Sequence, residues 1–498
     1  MTDAYTIKTS YGRLRGLPMS AGGALFAGVP FAEPPVGPLR LRPPRPVRPW
    51  EGVRDAIRFP PKPAQAGFAG MALDSATFGA DGAAEEVPIS EDCLYLNVWT
   101  PDVAGSRPVI VWIYGGGYEM GSASPPDTDG AALARRADVV VVALNYRVGA
   151  LGFLHLADLG GPEWAGSTNL GLQDQALALH WVKDTIAAFG GDPDNITVAG
   201  QSAGAFSVGA LLAMPAAAGT FGKAILSSGS TSRIFSTETV NDIAADLMAK
   251  LGVSTVDALV DVPTERFLAV QPTVIDNNLG RRNLPGGRSW GAVLDGKVMP
   301  QRPQDAVIAR AVVDIPLLVS ANRDEMRLFQ AMQGPAYAPA NEAALLAEIS
   351  SAGFDRPADV LAAYRKRAPQ ADLTELRTLF LSDAIYKVPV IQLAQAQVAA
   401  GGRAYAALFV AEPFGPALGA CHGAELAYIF DGLAAINAQT PENLAVRDEM
   451  IAAWSRFATT GNPGWPVYHG KARQFGSTGE MVTEPPEDDV TALWRTKP

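Results

Sequence analysis

Six short runs in this chain are apolar at nearly every position rather than at every second one: Val109–Ile113, Val139–Leu144, Ile196–Ala199, Ala224–Leu226, Ile315–Val319 and Ala404–Val410. A strand with one face in water alternates, whereas a strand covered on both faces reads as continuously apolar. Between the runs lie segments of helical periodicity, among them Leu172–Phe189, Glu342–Ile349 and Asn443–Thr459. This rhythm predicts an α/β fold with a large, mostly parallel central sheet and helices on both faces. Residues 64–92 and about 231–310 break the rhythm; they are expected as insertions within one elaborated domain spanning 1–498. In an open sheet of this kind the ligand crevice lies beyond the carboxyl ends of the strands, so the insertions would wall a gorge there.

Charge and composition narrow the partners. A net charge of -11 argues against nucleic acid, which needs a basic face to displace counterions. No run of 18 apolar residues occurs, so no membrane span is expected. The N-terminal segment lacks the apolar core of a signal peptide. Only two cysteines are present, Cys93 and Cys421, which fits free thiols in a reducing, cytoplasmic setting. A monomer or weak homo-oligomer is expected, with a small molecule rather than nucleic acid as its partner.

Chemistry enters at Gly200-Gln201-Ser202-Ala203-Gly204, which joins the run Ile196–Ala199 to a helical pattern over Ala203–Leu212. A tight strand-to-helix turn holds a serine hydroxyl clear of its own strand, and it demands minimal side chains two positions either side. Such a serine needs a base, an acid and an oxyanion site. Four histidines exist. His155 and His180 precede Ser202 and sit in regular elements, and His469 lies in a polar tail. His422, in the glycine-containing loop after Ala404–Val410, is the candidate base, since the nucleophile-elbow order is serine, acid, histidine. The run Ile315–Val319 leads into Asp324-Glu325, adjacent carboxylates of which only one can face the imidazole. Tyr114-Gly115-Gly116-Gly117-Tyr118 follows Val109–Ile113 and offers unobstructed N–H groups to a reacting carbonyl, with the amide of Ala203 as a further donor.

These motifs together resemble the type-B carboxylesterase/cholinesterase family of α/β-hydrolases. The resemblance is carried by Phe189–Gly204 (FGGDPDNITVAGQSAG) and Glu91–Pro101 (EDCLYLNVWTP), and by Asn145–Leu154, Asn169–Val182 and His422–Phe430, which together span most of the chain. It implies a serine ester hydrolase with Ser202 as nucleophile, His422 as base and Glu325 as acid. Gly116, Gly117 and Ala203 would be the oxyanion donors, and no metal or organic cofactor is implied. Alternatives are a non-catalytic cholinesterase-like binding protein, an amidase, or an esterase specialised for an acidic acyl group.

The chain departs from the family at three places. Gln201 stands where relatives carry Glu, so a charge that would raise the base's pKa is missing. Met326 replaces a glycine after the acid, which puts that loop's geometry in question. Cys93 has no partner in the first insertion, where Pro63 occupies the equivalent position. Choline-specific relatives stack a quaternary ammonium on a tryptophan of that insertion; here it holds Phe68 and Phe78 instead, which implies a general carboxylesterase for small to medium apolar esters. Phe68, Phe78 and Trp290 are the expected substrate contacts, and the cluster Arg281, Arg282 and Arg288 reads either as a solvated face, the commoner case, or as a site for an acidic acyl group.

Overall fold

The computed structural model describes residues 5–20, 22–67, 87–124, 128–476 and 479–495. Among them the main sheet has eleven strands, numbered here along the chain: β1 (Leu17–Pro18), β2 (Ala24–Pro30), β3 (Tyr95–Thr100), β4 (Arg107–Ile113), β5 (Val140–Leu144), β6 (Gly191–Gln201), β7 (Lys223–Ser227), β8 (Leu317–Asn322), β9 (Ala404–Phe409), β10 (Lys471–Phe475) and β11 (Met481–Thr483). Their order across the sheet is β1-β2-β3-β5-β4-β6-β7-β8-β9-β10-β11. From β5 to β10 every pairing is parallel. The antiparallel strands lie at the two margins.

All six continuous apolar runs lie on strands of this parallel block. Val109 to Ile113, Val140 to Leu144 and Ala404 to Phe409 are buried throughout, as strands covered on both faces must be. The marginal strands went unseen in the sequence because polar or conformationally special residues interrupt them. Asn97, inside β3, is fully buried; it accepts from the Gly28 N–H and donates to the Ala123 carbonyl. Gly28 itself adopts φ +77°, at an irregularity in the β2–β3 register.

Helices pack around the sheet and their ends follow from local sequence. Pro441–Thr460 starts at Thr440, whose hydroxyl accepts from the Asn443 N–H, has proline in its first turn, and stops at Gly461 in the left-handed conformation. It lies against β4 and β6. Helix Ala203–Leu211 is buried at every position, which its small residues allow, and packs on β6 and β7.

The segment expected as the second insertion begins and ends on one short parallel pair, Ile234–Phe235 with Ala292–Val293. Asn169 pins that pair by exchanging two hydrogen bonds with the Val293 backbone. Between the two strands run helices Thr237–Leu251, Thr264–Val270 and Leu279–Asn283. Of the first insertion, residues 68–86 lie outside the described residues, and its flanks pair as Lys62–Pro63 with Ile89–Ser90.

Candidate active site

The carboxyl ends of β6, β7 and β8 lie in register, with Gln201 opposite Ser227 and Ser227 opposite Ser320. At the first of these ends the chain turns sharply into helix Ala203–Leu211. Ser202 sits on the turn at φ 55°, ψ -125°, a conformation that L residues avoid and that marks a strained, over-determined position. Its N–H donates to the Ser227 carbonyl and its carbonyl accepts from the Phe206 N–H, both at 2.9 Å, so strand β7 and the helix hold the turn from two sides. The flanking glycines are required by contact. A methyl on Gly200 would lie 2.4 Å from the Gly204 carbonyl carbon, and one on Gly204 would lie 2.0 Å from the Ile113 oxygen.

His422 lies on the loop after β9. Its Nδ1–H donates to Glu325 Oε2 at 2.6 Å, and its own backbone N–H donates to the Glu325 carbonyl. Glu325, fully buried just beyond β8, also accepts at Oε1 from the Ser228 hydroxyl at 2.6 Å and the Asn322 N–H at 2.8 Å. Three donors hold this one carboxylate in a single orientation. With the proton on Nδ1, the lone pair is on Nε2. That nitrogen accepts from the Gln201 side-chain amide at 3.2 Å, and Ser202 Oγ is not hydrogen-bonded to it.

The imidazole is packed between rings, with centroids 4.7 Å from Tyr386 and 5.1 Å from Phe329. Tyr386 comes from a π-helical turn, Asp383–Lys387, between helices Leu373–Ser382 and Val388–Ala399, a kind of irregularity frequent at functional sites. Burial pushes its hydroxyl well above the usual tyrosine range.

The neighbouring carboxylate, Asp324, points elsewhere. It accepts from the Ala420 N–H at 2.9 Å and pairs with Arg323, tying the loop of β8 to the loop of His422. Behind the histidine a second buried acid, Glu425, accepts from Ser227 Oγ at 2.8 Å and from the Asn322 side-chain amide at 2.5 Å. Burial, then the charge of Glu325, raises its pKa. Met326 adopts an ordinary right-handed conformation, φ -80°, and is buried, so nothing at that position requires a glycine.

A cavity of about 400 Å³ opens above these groups, and Ser202, His422, Gln201, Gly116 and Gly117 all line it. The Gly116 carbonyl is engaged by the Glu119 and Met120 N–H groups. Gly116 at φ +101° and Gly117 at φ +65° use backbone freedom that a side chain would deny. The Ala203 amide belongs to the first turn of its helix, where N–H groups lack partners from within the helix and the dipole favours negative charge.

Of the expected contacts, Trp290 and the arginine cluster need correction. Phe68 and Phe78 lie outside the described residues. Trp290 is buried and does not line the cavity; its bulk is spent in the core. The arginine cluster is dispersed: Arg281 donates to the carbonyls of Pro285 and Gly286, and Arg288 pairs with Asp246. Of the three only Arg282 reaches the cavity, where Glu119 neutralises it. The wall is built instead from residues that carry no motif, such as Leu279, Leu328, Phe329, Met332, Ile436 and Arg233.

The remaining histidines are held apart from this site. His155 Nδ1 is hydrogen-bonded to Thr168, His180 to the Ala216 carbonyl, and His469 is exposed. Both cysteines are free and buried, and burial raises each thiol, that of Cys421 to about 12, which keeps it protonated. Among the described residues no group of His, Cys, Asp and Glu is arranged to hold a metal, and no helix is long and apolar enough to cross a membrane.

Residues 3–481 match the carboxylesterase family. The chain is 35% identical over 494 residues to para-nitrobenzyl esterase of Bacillus subtilis (strain 168), covering 94% of this chain and 93% of that protein. It is 30% identical over 529 residues to carboxylesterase 1C of Mus musculus, covering 98% and 92%. Among solved structures, a carboxylesterase of Geobacillus stearothermophilus matches with a TM-score of 0.85 at 36% identity, over 98% of this chain and 99% of that one. The chain thus belongs to the carboxylesterase family, the type-B carboxylesterases of the α/β-hydrolase superfamily.

Proposed function

We propose that this carboxylesterase works through a Ser202–His422–Glu325 triad and an acyl-enzyme on small to medium, largely apolar esters, within one catalytic domain whose second insertion walls the site. The observation that carries the reading is the strained serine turn sharing one cavity with a histidine whose far nitrogen is 2.6 Å from a buried carboxylate. Glu325 fixes the tautomer that leaves Nε2 basic and stabilises the imidazolium that forms.

In the reaction, Ser202 Oγ bonds to the ester carbonyl carbon as its proton passes to His422 Nε2, which first exchanges its Gln201 contact for the serine. The carbonyl oxygen becomes an oxyanion facing the amides of Gly116, Gly117 and Ala203. The intermediate collapses, the C–O bond to the alcohol breaks, and His422 returns its proton to the departing alkoxide. Water, deprotonated by the same nitrogen, then cleaves the acyl-serine and releases the acid. The apolar wall suits the hydrocarbon of such esters. The buried free thiols fit a cytoplasmic location.

The test is steady-state hydrolysis of p-nitrophenyl butyrate. Ser202→Ala and His422→Ala should each lower kcat by about 10⁴-fold or more while the protein stays folded. Near-normal turnover by either variant would overturn the triad.

A further inference from the structure

We propose that Arg233 gives the cavity a recognition point for a carboxylate, so that the favoured esters include half-esters of short dicarboxylic acids. The inference rests on the ester-hydrolase reading above and names a substrate class within it.

Among the described residues, three side chains that carry charge at neutral pH, besides the histidine, line the cavity: Glu119, Arg282 and Arg233. Two of them cancel. Arg282 is 1% exposed and Glu119 3% exposed, and they form a direct ion pair, with Arg282 Nε donating to the Asp276 carbonyl at 2.7 Å. Arg233 has no such partner among the described residues. Its Nη2 donates to the Ser289 hydroxyl at 2.8 Å and to the Trp290 carbonyl at 3.4 Å, both neutral acceptors. Its Nε is buried without an acceptor, and no carboxylate pairs with it among the described residues. The guanidinium lies over two aromatic rings, 5.3 Å from the Tyr118 centroid and 5.9 Å from that of Phe206.

An arginine in an apolar cavity with only neutral partners is electrostatically incomplete. Removing a cation from water is costly unless an anion compensates for it, and guanidinium binds carboxylate with particular strength because two parallel N–H···O bonds can form. The cation also works against its neighbour: burial lowers the Arg282 pKa and the charge of Arg233 lowers it further. A ligand carboxylate at Arg233 would relieve both.

The position suits a substrate. Arg233 directly precedes Ile234–Phe235, the strand that opens the second insertion. Phe206, beneath the guanidinium, lies one helical turn beyond Ser202. A carboxylate carried a few methylenes from the scissile ester would therefore meet Arg233 while the ester carbonyl lies at the nucleophile. Recognition is local and owes nothing to long-range steering, since the chain's net charge is -11.

The experiment compares kcat/KM by pH-stat for monoethyl succinate, glutarate and adipate against the neutral ethyl esters of the monocarboxylic acids of equal chain length. At the best length the ratio of anionic to neutral ester should fall about 10- to 100-fold in Arg233→Gln and be restored only in part in Arg233→Lys, whose ammonium keeps the charge and loses the two parallel N–H···O bonds. A ratio unmoved by Arg233→Gln, or wild-type protein that turns over the neutral esters and none of the half-esters, overturns the proposal and leaves the ester-hydrolase reading standing. Turnover of neither set overturns that reading and this one with it. Should Arg233→Gln not fold, inhibition of the wild type decides: adipate must bind more tightly than hexanoate, and equal or weaker binding by adipate is contradictory.

Discussion

The carboxyl ends of the parallel strands and the cover above them face each other across one cavity, and they are built to different tolerances. On the strand side each group is fixed several times over. Ser202 is held by β7 and by its own helix, Gly204 has no room for a methyl, and Glu325 has three donors. On the cover side Arg233 Nε, Arg282 Nη2 and Asn283 Oδ1 are buried with no hydrogen-bond partner among the described residues, while at the strand ends Asn322 Oδ1 is left so. The sheet pre-organises a reaction that does not vary, and the cover leaves polar capacity that a substrate can complete.

The sharpest way to break this comparison is to exchange carboxylates within the strand side. Glu325→Gln should lower kcat for p-nitrophenyl butyrate by roughly 10³- to 10⁴-fold, because the amide cannot hold the same tautomer. Asp324→Asn, which loosens a loop tie and touches no reacting group, should cost less than about tenfold. The reverse ranking would mean that Asp324 orients the base.

A second test sharpens the claim about over-determination. Gly204→Ala sets a methyl 2.0 Å from the Ile113 oxygen, a backbone atom of the central strand. Urea unfolding should show a loss of about 3 kcal/mol or more, or no folded protein. A fully stable variant would show that the turn has slack.

The same tolerance explains what was legible in the sequence. The six apolar runs and the order of serine, acid and histidine were readable because buried parallel strands and strained turns leave few residue choices. The choice of Glu325 over Asp324 came from resemblance, since adjacency alone cannot say which side chain faces inward. Arg233 and Tyr386 were missed. Neither sits in a motif, and both reach the site only through the pairing of Ile234–Phe235 with Ala292–Val293 and the π-helical turn at 383–387, which local propensity does not encode. Trp290, expected at the substrate, is buried, since a large aromatic side chain suits a core equally well.

Gln201 lies at the boundary of the two sides. Gln201→Glu would set a carboxylate beside His422 Nε2. An adjacent negative charge favours the imidazolium, so the acidic limb of the kcat/KM profile should move to higher pH by about one unit. A limb that does not move would show that the side chain turns away from the histidine during turnover.

The smallest expected effect concerns Glu425, whose pKa is raised in the folded state by burial and by Glu325. The folded protein then holds this proton more tightly than the unfolded chain. Its contribution to stability is complete below the ordinary carboxyl range and is lost as pH rises toward the folded value. Glu425→Gln cannot ionise, so its thermal stability relative to wild type should improve as the pH is raised through that window. A difference that is constant with pH would contradict the raised pKa.

The central claim, that Ser202 is the nucleophile, is tested most directly by mass-spectrometric mapping after inactivation with diethyl p-nitrophenyl phosphate. The account predicts one diethylphosphoryl group per chain, on the peptide containing Ser202, appearing in step with the loss of activity and absent from Ser202→Ala. Full inactivation with Ser202 unmodified and the label on another side chain would contradict it.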